Sequence, residues 1–197
     1  TPFVCHGAYE PQAATIACSC APFFCRSFAM TATSTAPEHS NALPALAFIG
    51  GGNMASAIIG GLIRQGVPPT QIEVVEPWAE ARAALLQQFG ITAQEQASAQ
   101  LQRAGLVVWA VKPQTFQEAA LQTRAHTAQA LHLSVAAGIR SSSIAQWLNS
   151  ESVVRAMPNT PALIGQGMTA LYARPAVSSG QRALVEQVIA PTGQQMW

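Results

Sequence analysis

A short apolar run, Leu46-Ala47-Phe48-Ile49, leads directly into Gly50-Gly51-Gly52-Asn53-Met54-Ala55, and helical spacing of apolar residues starts at once. This is a G-x-G-x-x-A pattern set between a strand and a helix, the context that gives such a pattern meaning. Gly50 permits a tight turn, Gly52 lets the backbone approach a pyrophosphate, and Ala55 is small enough for the helix to lie close to the sheet. The unpaired N–H groups and positive end of that helix then face the phosphates. Taken alone, the pattern also suits an ordinary glycine-rich turn that holds nothing.

The same region must be weighed as a membrane segment. No residue of fixed charge stands between Glu38 and Arg64, a length that would cross a bilayer. Pro44, Asn53, Ser56 and glycines 50, 51, 52, 60 and 61 interrupt it, and its spacing changes from strand-like to helical at Asn53. A buried βα unit is the expectation. Net charge is +1 with no basic cluster, so neither nucleic acid nor an anionic membrane surface is expected as a partner. All 4 cysteines, Cys5, Cys18, Cys20 and Cys25, lie near the start, with no His or acid pair at zinc spacing beside them. No metal site and no disulfide scaffold are expected, and a reducing, cytoplasmic setting is the default.

Residues 1–43 have no sustained period and read as a disordered extension or upstream sequence, with Met30 a natural first residue. Arg26 is their only basic residue, which fits neither a secretory signal nor a transit peptide. Over residues 44–197 strand-like runs (46–49, 72–75, 106–110, 131–136, 153–156 and 169–172) alternate with helical ones (53–65, 78–89, 115–124, 141–148 and 180–189). Gly66 and Gly90 stand where helix C-terminal glycines belong. The alternation predicts one α/β domain, a Rossmann-type doubly wound and mainly parallel sheet with helices on both faces.

In such sheets ligands lie beyond the carboxyl ends of the strands. The second strand ends at Glu76, about twenty residues past the glycines, where an acid accepts hydrogen bonds from ribose hydroxyls and repels a 2′-phosphate. It also reads as a solvated charge heading the next helix. Arg82, further along that helix, offsets the repulsion if it folds back. The third strand ends Ala110-Val111-Lys112-Pro113, which places a lysine within reach of phosphate, ribose or nicotinamide; as a surface lysine it needs no role. The fourth ends Ala136-Ala137-Gly138, small enough for a flat ring to lie against backbone. The fifth ends Met157-Pro158-Asn159-Thr160-Pro161, a stiff loop with two polar side chains. His126 and His132 read as structural or solvated rather than catalytic.

These segments together resemble the pyrroline-5-carboxylate reductases. The matching stretches are Phe48 to Met54, Ala110-Val111-Lys112-Pro113-Gln114, Ala136-Ala137-Gly138-Ile139, and Arg155-Ala156-Met157-Pro158-Asn159-Thr160-Pro161 with Gly167-Met168-Thr169. The resemblance implies reduction of the small molecule 1-pyrroline-5-carboxylate to proline with NADPH or NADH. It implies that Ile49, Gly50, Gly51, Gly52, Asn53 and Met54 hold the pyrophosphate, and Ala110 and Lys112 the ribose and nicotinamide side. Ala137 would lie against the nicotinamide, with Asn159 and Thr160 near the reacting end. Glu76 departs from the small polar residue of many relatives, which puts their NADPH preference in doubt, and Ala97 replaces an Asn that some relatives place there. The family also homo-oligomerises through a C-terminal helical domain that is not expected within these residues, so this stretch alone is expected to bind cofactor with little or no turnover. The rival readings are another imine or hydroxy-acid reductase and a non-enzymatic NAD(P)-binding module.

Residues 1–43 offer no periodic apolar face to bury. A polypeptide beginning at Met30 is therefore expected to melt at the temperature of the longer one; a drop of several degrees in a calorimetric scan would show that the extension packs on the domain.

Overall fold

The computed structural model describes residues 43–197. The expectations for residues 1–42, including their cysteines and Met30, lie outside the described residues. In chain order the elements are β1 (Leu46–Ile49), α1 (Asn53–Arg64), β2 (Ile72–Val75), α2 (Ala79–Phe89), β3 (Leu106–Trp109), α3 (Phe116–Thr123), β4 (Leu131–Ser134), α4 (Ser141–Leu148), β5 (Val153–Pro158), β6 (Gly167–Ala173), α5 (Ser179–Ile189) and β7 (Gly193–Met196). They build a single 7-stranded sheet in the order β2-β1-β3-β4-β5-β6-β7. The first five strands are parallel.

Every residue of β1, β3 and β4 is buried, because helices cover both faces and alternate side chains go to opposite cores. Leu46 and Phe48 of β1 point into one core with Ile58, Ile59 and Leu62 of α1 and Val185 and Val188 of α5. Ala47 and Ile49 point into the other, with Trp109, Phe116 of α3, and Ile144 and Leu148 of α4. The uncharged stretch is thus β1 followed by α1, a βα unit inside the domain. No helix among the described residues is long and apolar enough to cross a membrane. Gly66 and Gly90 follow α1 and α2 with positive φ (96° and 69°), as expected of helix-ending glycines.

The sheet departs from simple βα alternation at β6, which runs antiparallel to β5. The connection between them holds only a short 3-10 turn, Thr160–Ile164, closed by Gly165 in the left-handed region. A parallel return needs a longer crossover. β7 then pairs parallel to β6 through α5, so the last two strands oppose the first five.

His132 sits in the second core at 1 % exposure. Its Nδ1 accepts a hydrogen bond from Nε1 of Trp109 at 3.2 Å, and Trp109 packs against Phe116 with ring centroids 5.0 Å apart. Its place is structural, away from the carboxyl ends of the strands. Burial pushes its pKa down to about 4, so the folded state holds it neutral where an unfolded chain would protonate it. That contribution is present above the unfolded value of 6.5 and is lost as pH falls from there toward 4. Chemical denaturation at pH 7 and pH 5 is expected to show a loss of about 2 kcal/mol from this one residue. His132→Gln, which keeps an acceptor for Trp109, should remove that part of the pH slope; an identical slope in the variant would assign it to other groups.

Candidate functional site

The chain leaves β1 into α1 on one face of the sheet and leaves β3 into α3 on the other, so a crevice opens where these adjacent strands end. The turn into α1 is pinned from both sides. Gly50 N–H donates to the Val75 carbonyl of β2, and Ala110 N–H donates to the Ile49 carbonyl, each at 2.8 Å. Gly50 has φ +96°, and a Cβ there would lie 2.7 Å from the Ala110 carbonyl oxygen. Glycine is demanded by the fold at this point.

Gly52 is different. Its φ is −72°, which any residue adopts, and a Cβ built on it meets nothing within 4 Å. No protein contact asks for glycine here. Gly52 is also the N-cap of α1, and no side chain caps the helix. The first helical bond runs from Ser56 N–H to the Gly52 carbonyl at 2.9 Å, so the amides of Asn53, Met54 and Ala55 open outward from the helix end. A cradle that a side chain would fill, at the start of an uncapped helix, fits a pyrophosphate.

Glu76 is 9 % exposed. Its Oε2 accepts from Gly51 N–H at 2.7 Å and its Oε1 from Trp78 N–H at 3.0 Å. Arg82 does fold back, but onto carbonyls: its Nη1 donates to the carbonyl oxygens of Glu76 (3.0 Å) and Pro77 (2.6 Å). Its Nη2 pairs with Glu95 at 3.4 Å. Lys112, the only lysine of the chain, is exposed at the end of β3 and forms no ion pair among the described residues.

Of the residues expected from sequence, Ile49, Gly50, Gly52, Glu76, Ala110 and Lys112 line one cleft of about 520 Å³. Gly51 is buried beneath it against Leu85 and Glu76, and Asn53 and Met54 form the first turn of α1. Ala137 is exposed beyond β4 and outside the cleft lining. Asn159 lies beside a separate, shallower pocket, where its Oδ1 accepts from Met168 N–H at 2.9 Å. Thr160 opens the exposed turn after it. The structure therefore gathers the ends of β1, β2 and β3 around one cleft and leaves these three residues further along the same edge. Among the described residues no three His, Cys, Asp or Glu side chains are grouped to hold a metal ion.

The cleft also has walls that sequence reasoning passed over, beside Ala97, whose position it had singled out. Trp78, 70 % exposed, stands at its mouth. Gln94 bridges to Val75 and, with its neighbours, carries Glu95, Gln96 and Ala97 to the rim. An aromatic residue two positions past a strand-end acid was a readable signal for the first. The Gln94 bridge is an isolated pairing with no period to reveal it.

A crevice at the switch point of a parallel sheet, with a glycine loop leading into a helix, is the arrangement of a Rossmann-type dinucleotide-binding fold. The family model described as "NADP oxidoreductase coenzyme F420-dependent" matches residues 45–138. The pyrroline-5-carboxylate reductase of Pseudomonas aeruginosa is 43 % identical over 157 residues, covering 78 % of this chain and 57 % of its own length. That of Haemophilus influenzae is 39 % identical over 154 residues, covering 77 % and 56 %. A solved structure of a pyrroline-5-carboxylate reductase from Coxiella burnetii superposes with a TM-score of 0.75 at 31 % identity, over 79 % of this chain and 59 % of that one. The chain belongs to the pyrroline-5-carboxylate reductase family, and it spans a little over half the length of these relatives.

The two glycines separate fold from ligand. Gly52→Val should leave the melting temperature nearly unchanged while nicotinamide-dinucleotide affinity falls at least tenfold, about 1.4 kcal/mol. Gly50→Val should destabilise the domain itself, because the branched side chain meets the Ala110 carbonyl. Undiminished dinucleotide binding by folded Gly52→Val, measured by fluorescence titration, would overturn the phosphate-loop assignment.

Proposed function

We propose that this chain supplies the cofactor-binding half of a reductase that converts 1-pyrroline-5-carboxylate to proline. The observation that carries the reading is Gly52, a glycine required by no protein contact, beside an uncapped helix start in a chain 43 % identical to a named pyrroline-5-carboxylate reductase. Bound in the cleft, the reduced nicotinamide supplies a hydride to the imine carbon. A protonated cyclic imine already carries the proton that its nitrogen keeps in the amine, so the protein's task is chiefly positioning. In this reading the loop from Ile49 to Met54 holds the pyrophosphate and Ala110 and Lys112 hold the ribose and nicotinamide side. Ala137 offers a flat place for the ring beyond β4, and Asn159 and Thr160 stand toward the substrate.

The same residues favour NADH over NADPH. A 2′-phosphate at the end of β2 would meet the Glu76 carboxylate, and the nearest guanidinium, that of Arg82, is engaged by two carbonyls and Glu95. Lys112 lies at the end of β3, on the other side of β1.

The test is oxidation of reduced nicotinamide by the full-length protein on addition of 1-pyrroline-5-carboxylate, with affinities for both cofactors measured alongside. Pyrroline-dependent oxidation is expected, with NADH bound at least tenfold more tightly than NADPH, about 1.4 kcal/mol. Cofactor binding without pyrroline-dependent oxidation in the full-length protein would leave a binding module, and equal affinities would show that Glu76 does not face the 2′ position.

A further inference from the structure

We infer that Glu76 is the positioning residue of the glycine loop, and that cofactor affinity depends on its clamp on the Gly51 amide separately from the charge that discriminates between NADH and NADPH. This rests on the proposal that the cleft binds a nicotinamide dinucleotide.

Both carboxylate oxygens of Glu76 are engaged by the backbone, Oε2 by Gly51 N–H at 2.7 Å and Oε1 by Trp78 N–H at 3.0 Å. The first is a buried, charge-assisted bond across 25 positions of sequence, the kind that holds a chain in one geometry. Gly51 is confined from another side as well, since a Cβ on it would lie 2.7 Å from Leu85 Cδ1 of α2. Its neighbour Gly50 is tied to the Val75 carbonyl. The loop therefore spends its first two amides on the protein, and the amides that follow are the ones left to face a ligand. The direction they face is set at Gly51. Glu76 is itself held at both ends of its backbone: its N–H donates to the Gln94 carbonyl at 2.8 Å and its own carbonyl accepts from Arg82. An acid that acted only by repelling a 2′-phosphate would need none of this. Removing Glu76 to relax cofactor choice should therefore release the loop at the same time.

Two variants separate the two roles. Glu76→Asp keeps the charge but is one methylene short of Gly51 N–H. Glu76→Gln loses the charge and the bond from Trp78 N–H, because its amide nitrogen cannot accept, but keeps the length and an oxygen that accepts from Gly51. NADH and NADPH affinities are measured for wild type and both variants by fluorescence titration. Hydrogen exchange at the Gly51 amide is measured without cofactor, relative to the core amide of Phe48 so that local release is distinguished from global unfolding. Glu76→Asp is expected to lose at least tenfold in NADH affinity, with NADPH still the weaker ligand and Gly51 exchanging at least tenfold faster. Glu76→Gln is expected to keep Gly51 protected, to lose clearly less NADH affinity than Glu76→Asp, and to narrow the gap between the two cofactors. The inference is overturned if Glu76→Asp binds NADH as wild type does with Gly51 exchange unchanged, or if Glu76→Gln loses as much NADH affinity as Glu76→Asp. If wild type binds neither dinucleotide, the proposed function fails instead, and Gly51 exchange in the two variants still decides whether the clamp exists.

Discussion

At the carboxyl end of β1 the backbone turns in contact with the end of β3, with the site of a Gly50 Cβ only 2.7 Å from the Ala110 carbonyl. The contact exists because Val75 of β2 and Ala110, one residue past β3, each hold the turn by a backbone hydrogen bond. A chain that turns this tightly must start its helix at once, and α1 begins at Asn53. Its direction follows from burying Ala55, Ile58, Ile59 and Leu62 against one face of the sheet. The crevice, the open amides and the placement of Glu76 against the loop all descend from that backbone contact.

The polarity of the cleft is organised along the sheet. At the β2 end, Glu76 and Glu95 stand with an Arg82 that is already committed to carbonyls and to Glu95. At the β3 end, Lys112 is exposed and has no ion-pair partner among the described residues. A ligand lying across β1 therefore meets an acceptor-rich end suited to hydroxyl groups, backbone donors in the middle, and a cation beyond. That sequence of chemistry matches ribose, pyrophosphate and a second ribose better than it matches a single compact anion.

Much of this was legible in the chain. β1 and β3 announce themselves as short apolar runs because parallel strands buried on both faces need apolar residues throughout, whereas β2, at the edge of the sheet, admits Glu73 and β4 admits His132 and Ser134. The glycine loop is legible because a glycine run between a strand and a helix is a local pattern. The direction of β6 is set instead by the short connection after Asn159, and no residue of β6 signals it. β7 reads Gly-Gln-Gln-Met, polar for a strand, and takes its place by pairing with β6. Glu76 could be singled out from its position, but its bond to Gly51 could not. The two are separated by 25 positions and are brought together by the β1–β2 register. Asn159 and Thr160 matched a family pattern, yet they stand apart from the cleft, on an edge whose chemistry a strand-by-strand reading does not resolve.

The bare start of α1 has a consequence for how long the domain stays folded. A side chain can satisfy the first amides of a helix, as Ser178 does for α5, and loss of such a cap typically costs about 1 kcal/mol. Here an acceptor from outside the chain would complete the helix, so binding and folding would share a free energy. By mass action, a ligand present at a hundred times its dissociation constant adds about 2.7 kcal/mol to the folded state. A domain built this way would persist in proportion to the dinucleotide around it, and proteases that act on transiently opened chains would read the state of that pool.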